Sequence, residues 1–234
     1  MKCPNAAGST YYNYKGFYSI VLMAVVSASY RFMLVDIGAQ GHHSNGGIFL
    51  NSTIGQMFHQ DELDVPMPSV CSTGRPPFPY MLVADEAFQL NKFTLRPYPG
   101  RNITEEQKIF NYRLSRARRV VENAFGIMVA KFRILQKPLT TSVETSEKIV
   151  KAIIVLHNFL LSHSNYCPEL FVDNSMLESR NTIEELLEQM KINSAFQKIG
   201  RAGGQAHSQY AANIREEFKN YFLNEGAVPW QWNR

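Results

Sequence analysis

Two carboxylates and a group of basic residues are the side chains in this sequence best suited to chemistry. Glu122 is the only acid among eight lysines and arginines in residues 108–137. Asp85 follows directly after YMLVA, so a carboxylate is predicted at the C-terminal end of a core strand. Ligands and catalytic groups of α/β sheets collect at that edge. The clustered positive charge favours a polyanion partner.

Both acids also have a structural interpretation. Glu122 has the spacing of an i to i+4 salt bridge with Arg118 on a helix. Asp85 could instead cap the turn that follows its strand. His157 lies inside an apolar helical stretch, which is typical of a core histidine with a satisfied hydrogen bond. The residue types alone leave the roles of Asp85 and Glu122 open.

The element that must position Glu122 is a long predicted helix over residues 110–135, FNYRLSRARRVVENAFGIMVAKFRIL. Thr104 and the two acids after it predict its N-terminal cap and first turn. Apolar residues recur at steps of mostly three or four, which predicts one buried stripe. The stripe consists of Phe110, Leu114, Ala117, Val121, Ala124, Phe125, Met128 and Phe132, and the basic residues off it are Arg113, Arg116, Arg118, Arg119, Lys131 and Arg133.

The remaining chain alternates strand and helix patterns. Residues 17–27 and 30–37 predict an antiparallel hairpin. The glycine-rich turn 38–47 places Ser44 and Asn45 to cap a short helix. Residues 60–79 form a proline-rich loop, residues 80–84 a strand, and residues 145–162 a helix that is apolar on most sides and therefore mostly buried. Residues 174–192 and 209–222 predict two further helices.

Composition is compatible with a sizeable core: 234 residues are 45% apolar and 12% aromatic, with a formal charge of +4. Three cysteines lie far apart and are odd in number, so no disulfide framework or metal-ligand pair is expected. The apolar run 17–26 is too short to cross a bilayer and favours a buried strand, so no membrane partner is expected.

Several blocks in order resemble the nuclease domain of PIF/Harbinger-type transposases and of the nuclear proteins derived from them. These blocks are YYNYKGFYSIVLMAVV, YRFMLVDIGAQG followed by SNGGIF, YMLVADEAF, LRPYPGR, the long basic helix, IVLHNFL, REEFKNYF and VPWQW. The resemblance spans nearly the whole chain.

The resemblance implies an α/β ribonuclease-H-like fold, a mixed sheet flanked by helices with carboxylates at its edge. It implies that Asp85 and Glu122 are catalytic residues and ligands of two Mg²⁺ or Mn²⁺ ions, roughly 4 Å apart in such sites. The partner would be the DNA backbone, contacted by Arg116, Arg118, Arg119, Lys131 and Arg133.

The sequence departs from the family pattern at two of the four acidic positions. The first catalytic aspartate is expected on a central strand upstream of the segment that begins here with MKCP, so an N-terminally truncated domain without that strand is predicted. Asn45 stands where a further acid is usual, and its amide oxygen carries no charge. We therefore expect weak metal binding and no strand cleavage.

The predicted organisation is a truncated nuclease domain over residues 1–165 and a helical C-terminal extension over residues 166–234. By family the chain is a metal-dependent DNA endonuclease or transposase domain, a hydrolase class, expected to be catalytically degenerate. The alternative is an inactive transposon-derived module that binds DNA or a nuclear protein. The family resemblance implies residence in the nucleus.

Overall fold

The computed structural model describes residues 9–13, 16–40, 48–49, 51–163 and 208–233. Its elements are mixed α and β. The strands are β1 (Ile20–Val26), β2 (Phe32–Gln40), β3 (Leu82–Val83) and β4 (Thr94–Leu95). The α-helices are α1 (Thr53–His59), α2 (Glu105–Lys131), α3 (Val143–Leu161) and α4 (Gln209–Leu223), and 3-10 helices span Arg133–Gln136 and Pro229–Trp232.

The predicted hairpin is confirmed, since β1 and β2 pair antiparallel. Its turn is longer than predicted: Tyr30 adopts a φ of 63°, and the amide of Ser27 donates to the carbonyl of Arg31. β2 also continues through Gly38 to Gln40, residues that sequence patterning placed in the glycine-rich turn. Strand pairing therefore extends further than the glycine content suggested.

The chain divides into two compact units, each formed from two stretches of sequence. The first is Met1–His43 with Val120–Ile199, and the second is Ser44–Arg119 with Gly200–Arg234. Helix α2 runs through the division and contributes residues to both. The predicted domain boundary at residue 165 falls outside the described residues and stays a prediction.

The core of the first unit is an apolar cluster that includes Phe32, Ala124, Met128, Leu135 and Ile153. Met128 and Leu135 are fully buried, as the stripe on α2 predicted for Met128. The α-helix ends at Lys131, however, so the predicted extension to residue 135 is wrong, and a 3-10 turn carries Leu135 into the core instead. Ala117, expected on the buried stripe, is exposed.

Helix α3 covers this core with one face only. Val150, Ile153, Ile154 and His157 are buried. The expectation of a substantially buried helix holds for this face only, because the other face exposes Val155, Leu156 and Phe159.

The second unit has a separate core around Phe110 and Leu114 of α2, Leu95 of β4, and Phe218 and Phe222 of α4. Helix α4 was predicted over residues 209–222 and is confirmed, with Ser208 as its N-cap. β3 and β4 form a two-stranded parallel sheet.

One prediction about the second unit needs correction. The strand expected over residues 80–84 is reduced to two residues, of which Val83 is 41% exposed, so it is not a core strand.

The helix predicted after the glycine-rich turn is divided. Residues 48–49 and 51 are helical, and Ser52 then caps α1, because its hydroxyl accepts from the amide of Gly55. Ser44 and Asn45, the predicted caps, lie outside the described residues, so that role stays a prediction.

Candidate functional site

Asp85 lies immediately after β3, as its sequence position predicted. Its Oδ1 accepts a hydrogen bond from the backbone N–H of Ala87 at 2.9 Å, and its carbonyl accepts from Phe88. The capping interpretation of Asp85 is therefore confirmed, because the carboxylate closes its own turn. The side chain keeps about a third of its surface accessible, 33%. A fixed but accessible carboxylate can still bind a second partner.

That second partner is Arg118 of α2, whose Nη2 lies 3.8 Å from Oδ2 of Asp85. The separation is at the long limit of an ion pair, and both side chains are partly accessible. The pair therefore adds little to stability. Its importance is positional, because it places a cation beside one oxygen of Asp85.

The turn that carries Asp85 is held by a buried arginine, Arg96. Its Nη1 donates to the carbonyls of Glu86 at 3.3 Å and Phe88 at 3.0 Å. Burial, followed by the nearby charge of Arg215, lowers the pKa of Arg96. Arg96 belongs to the LRPYPGR block of the family resemblance, and nothing in the sequence indicated these contacts. Its charge is used to fix the backbone next to Asp85.

Glu122 is partly buried on α2. It belongs to the first unit, whereas Asp85 and Arg118 belong to the second. Each carboxylate is thus placed within its own unit, and their convergence on one site stays a prediction. Within the described residues, no group of three or more His, Cys, Asp or Glu side chains has the arrangement of a metal site.

The basic residues predicted to contact DNA fall into two sets. Arg116 and Arg118 are partly buried. Arg116 donates to the hydroxyl of Tyr112 at 3.3 Å, and Arg118 pairs with Asp85. Arg119, Lys131 and Arg133 are exposed. The exposed residues are better placed to meet a polyanion than the first two.

Arg113 is a structural residue that sequence reasoning grouped with the exposed cations. Its Nη1 donates to the carbonyl of Gly226 at 2.9 Å and to Oε1 of Gln231 at 2.7 Å. Burial lowers the pKa of its guanidinium. These partners lie more than 110 positions away, so no local pattern in the sequence indicated them.

A second polar cluster joins α4 to the turn before α2. The hydroxyl of Tyr98 donates to Oε1 of Glu216 at 2.5 Å, and Arg215 lies over the ring of Tyr98 at 4.0 Å. Burial alone would raise the pKa of Glu216, but hydrogen bonds from Lys219 and Tyr98 and the charges of Lys219 and Arg215 lower it overall. This cluster keeps a carboxylate ionised at the edge of the second core.

His157 is confirmed as a core residue. It is 1% exposed, and its Nε2 lies 2.9 Å from the carbonyl of Tyr30. Burial lowers the pKa of this imidazole despite the bond to Tyr30. The neighbouring Asn158 contacts both the N–H and the carbonyl of Phe32. Together they fasten α3 to the start of β2.

Comparison of the sequence with known families gives the class of protein. The sequence model of the DDE superfamily endonuclease family matches residues 1–158, and the chain belongs to that family. The chain is also similar to proteins named "Putative nuclease HARBI1": that of Mus musculus is 26% identical over 166 residues, and that of Homo sapiens is 26% identical over 172 residues.

Each alignment covers 70% of this chain and 43% of the relative, so the chain spans less than half the length of these relatives. No solved structure matches the chain. No helix among the described residues is long and apolar enough to cross a membrane. The family assignment predicted from the sequence blocks is confirmed.

Proposed function

We propose that this chain is the carboxylate-bearing part of a ribonuclease-H-like DNA endonuclease domain that works in the nucleus. In this proposal Asp85 and Glu122 are the catalytic carboxylates and the ligands of Mg²⁺ or Mn²⁺. The observation that carries the proposal is the placement of Asp85. It is fixed at a strand end with Oδ2 facing Arg118, and Arg118 belongs to the helix that carries Glu122.

The pairing of Asp85 with Glu122 is an expectation from the family pattern. Asp85 contacts Arg118 within the second unit, and Glu122 follows Arg118 by four positions in the sequence of α2.

The donor types fit a hard divalent cation, which prefers carboxylate oxygens. Asp85 uses one lone pair for Ala87, and the contact of its other oxygen with Arg118 is loose, so acceptor sites remain. When bound, divalent ions activate the attacking oxygen and stabilise the leaving oxygen of a phosphodiester. Arg119, Lys131 and Arg133 would neutralise the phosphates of the DNA backbone.

We further propose that this chain by itself binds the metal weakly and does not cleave DNA. Asn45 replaces an acid of the family pattern, and Arg118 competes for Asp85 with its own positive charge. Two bound dications repel each other, and negative ligands must offset that repulsion. Asn45 contributes only the dipole of an uncharged amide, so the remaining carboxylates hold the ions weakly.

Isothermal titration with Mn²⁺ tests the metal site directly. We expect weak binding that decreases further in Asp85→Asn and in Glu122→Gln, while Asp61→Asn, which removes a carboxylate paired with Lys92, leaves it unchanged. Equal affinities in all four proteins would reject Asp85 and Glu122 as ligands.

A nicking assay on supercoiled DNA with Mn²⁺ tests whether the chain cleaves DNA. Nicking that disappears in both site variants would contradict the proposed inactivity.

Arg118→Ala provides a prediction specific to this structure. Removing a positive charge 3.8 Å from Asp85 should raise the Mn²⁺ affinity, by roughly three- to tenfold at a partly exposed site. Arg119→Ala, at the next position of the same helix, is the matched control and should change it little. An unchanged or lower affinity in Arg118→Ala would mean that Asp85 does not bind the ion.

The alternative function is an inactive transposon-derived module that binds DNA or a nuclear protein. The exposed Arg119, Lys131 and Arg133 favour DNA. DNA affinity should fall with salt at a slope of about −0.9 per phosphate contact, and each alanine variant should reduce the slope by about that amount. A slope near zero would favour a protein partner.

A further inference from the structure

The turn Pro229–Trp232 presents the two tryptophans of the chain on either side of a buried glutamine. Gln231 is 0% exposed, whereas Trp230 is 37% and Trp232 is 54% exposed. The Nε2 of Gln231 donates to the carbonyl of Phe222, and its Oε1 accepts from Arg113 and from the amide of Val228. Gln231 therefore anchors the turn and leaves both indoles at the surface.

Trp230 is held by a cluster of cations and an aromatic ring on α2. The guanidinium of Arg116 lies 4.4 Å from the indole centroid and that of Arg113 lies 5.2 Å from it. Tyr112 meets the indole edge to face at 5.9 Å. Arg119, three residues after Arg116 on the same helix, is exposed. The two guanidinium groups that lie over the Trp230 ring fix this indole, and Trp232 in the same turn is the more exposed of the two.

Exposed indoles beside guanidinium groups suit unpaired nucleic-acid bases. Every base has a flat face that stacks on tryptophan, and arginines nearby bind the phosphates. A duplex keeps its base faces stacked on one another, so it cannot use such a surface equally well. The anchored turn also lowers the entropy lost on binding, because Trp230 is already ordered.

We propose that Trp232 is the stacking residue of a surface for single-stranded DNA, with Trp230 held in the same turn by Arg116 and with the exposed Arg119 as a phosphate contact. The choice of DNA over other polyanions rests on the proposed function. The surface lies wholly within the second unit and uses neither Asp85 nor Glu122. It would hold unpaired strand ends or locally opened DNA.

The test uses the tryptophan emission of the whole chain, which comes only from these two residues. In EDTA, a thymidine oligonucleotide of about twelve nucleotides should quench this emission saturably, while a duplex of equal length should bind more weakly. Trp232→Ala should weaken single-strand binding by roughly five- to a hundredfold, measured by anisotropy of a labelled oligonucleotide. Trp232→Phe should retain most of the affinity.

Tyr210→Ala is the matched control, since Tyr210 is an exposed aromatic residue, 62%, of the same unit. Trp232 is the cleaner site because its exposure exceeds that of Trp230, and circular dichroism checks the fold of each variant. Equal affinity for single strand and duplex would overturn the proposal. So would a Trp232→Ala effect no larger than that of Tyr210→Ala, or quenching by a proline-rich peptide but not by the oligonucleotide.

The outcome is separable from the nuclease proposal. Asp85→Asn and Glu122→Gln should bind the oligonucleotide as the unchanged chain does, because metal is absent. If the oligonucleotide quenches the emission but titration detects no metal binding, the stacking surface is supported and the metal site is rejected. If metal binds but the oligonucleotide does not quench, the metal site is supported and the stacking surface is rejected.

Discussion

Buried polar side chains connect distant parts of this chain. Gln231 accepts from Arg113 and donates to Phe222, and Asn158 pairs with both backbone groups of Phe32. A buried donor or acceptor that loses its partner costs the full free energy of its desolvation. Single polar residues therefore decide where α2, α3 and the C-terminal turn are held.

Gln231→Ala should lower the free energy of unfolding by about 2–4 kcal/mol, because it leaves Arg113, the carbonyl of Phe222 and the amide of Val228 short of partners. Urea denaturation measures the change. Asn233→Ala, two residues later and exposed, is the control and should stay within about 0.5 kcal/mol. Equal effects of the two variants would argue against Gln231 as the anchor.

His157 gives the first unit a pH dependence. Burial lowers its pKa below the ordinary 6.5. Well above pH 6.5, His157 is neutral in both the folded and the unfolded chain, and its full contribution to the free energy of unfolding is present. As pH falls below 6.5, the unfolded chain takes up a proton that folded His157 resists, so stability is lost until the folded pKa is reached.

As the pH falls through 6.5, the free energy of unfolding should thus decrease, and His157→Gln should flatten that part of the profile. His163→Gln, which alters an exposed histidine on the turn after α3, should keep the slope. Thermal unfolding across this range measures it. A slope that survives in His157→Gln would assign the titration to another group.

At the scale of elements, the helices begin where local side chains can cap them. Thr104 and Gln107 form a reciprocal pair at the start of α2: the hydroxyl of Thr104 accepts from the amide of Gln107, and the side chain of Gln107 accepts from the amide of Thr104. Ser142 and Ser208 cap α3 and α4. These signals lie within three residues and are readable in the sequence.

Thr104→Ala should destabilise the second unit by about 1 kcal/mol, whereas Thr104→Ser should be nearly neutral because it keeps the hydroxyl acceptor. Chemical denaturation of the three proteins makes the comparison. Matching losses in the alanine and serine variants would show that the threonine methyl group, and not the cap, provides the stability.

At the scale of the whole molecule, one helix supplies both apolar cores. Met128 lies in the first core and Leu114 in the second, and both are nearly or fully buried. The single apolar stripe predicted for α2 is therefore divided between two units. Exposed Ala117 lies between Leu114 and the residues that enter the first core.

Met128→Ala and Leu114→Ala should each cost about 2–5 kcal/mol by leaving a cavity. Hydrogen exchange should separate them: amides of β1, β2 and α3 should lose most protection in Met128→Ala, and amides of α4 in Leu114→Ala. Val155→Ala, on the exposed face of α3, is the control for surface truncation. Uniform loss of protection in both core variants would mean that the two units unfold as one.

The sequence by itself determined the family, the hairpin, the α2 cap, the position of α4 and the placement of Asp85 directly after a strand. Each depends on residue order or on spacings of a few positions, where backbone geometry leaves few options. Tertiary structure decided the partners of Arg113, Arg116 and Arg118, the exposed apolar face of α3 and the presentation of the two tryptophans. Those depend on contacts between residues from 33 to 127 positions apart, which no local pattern encodes.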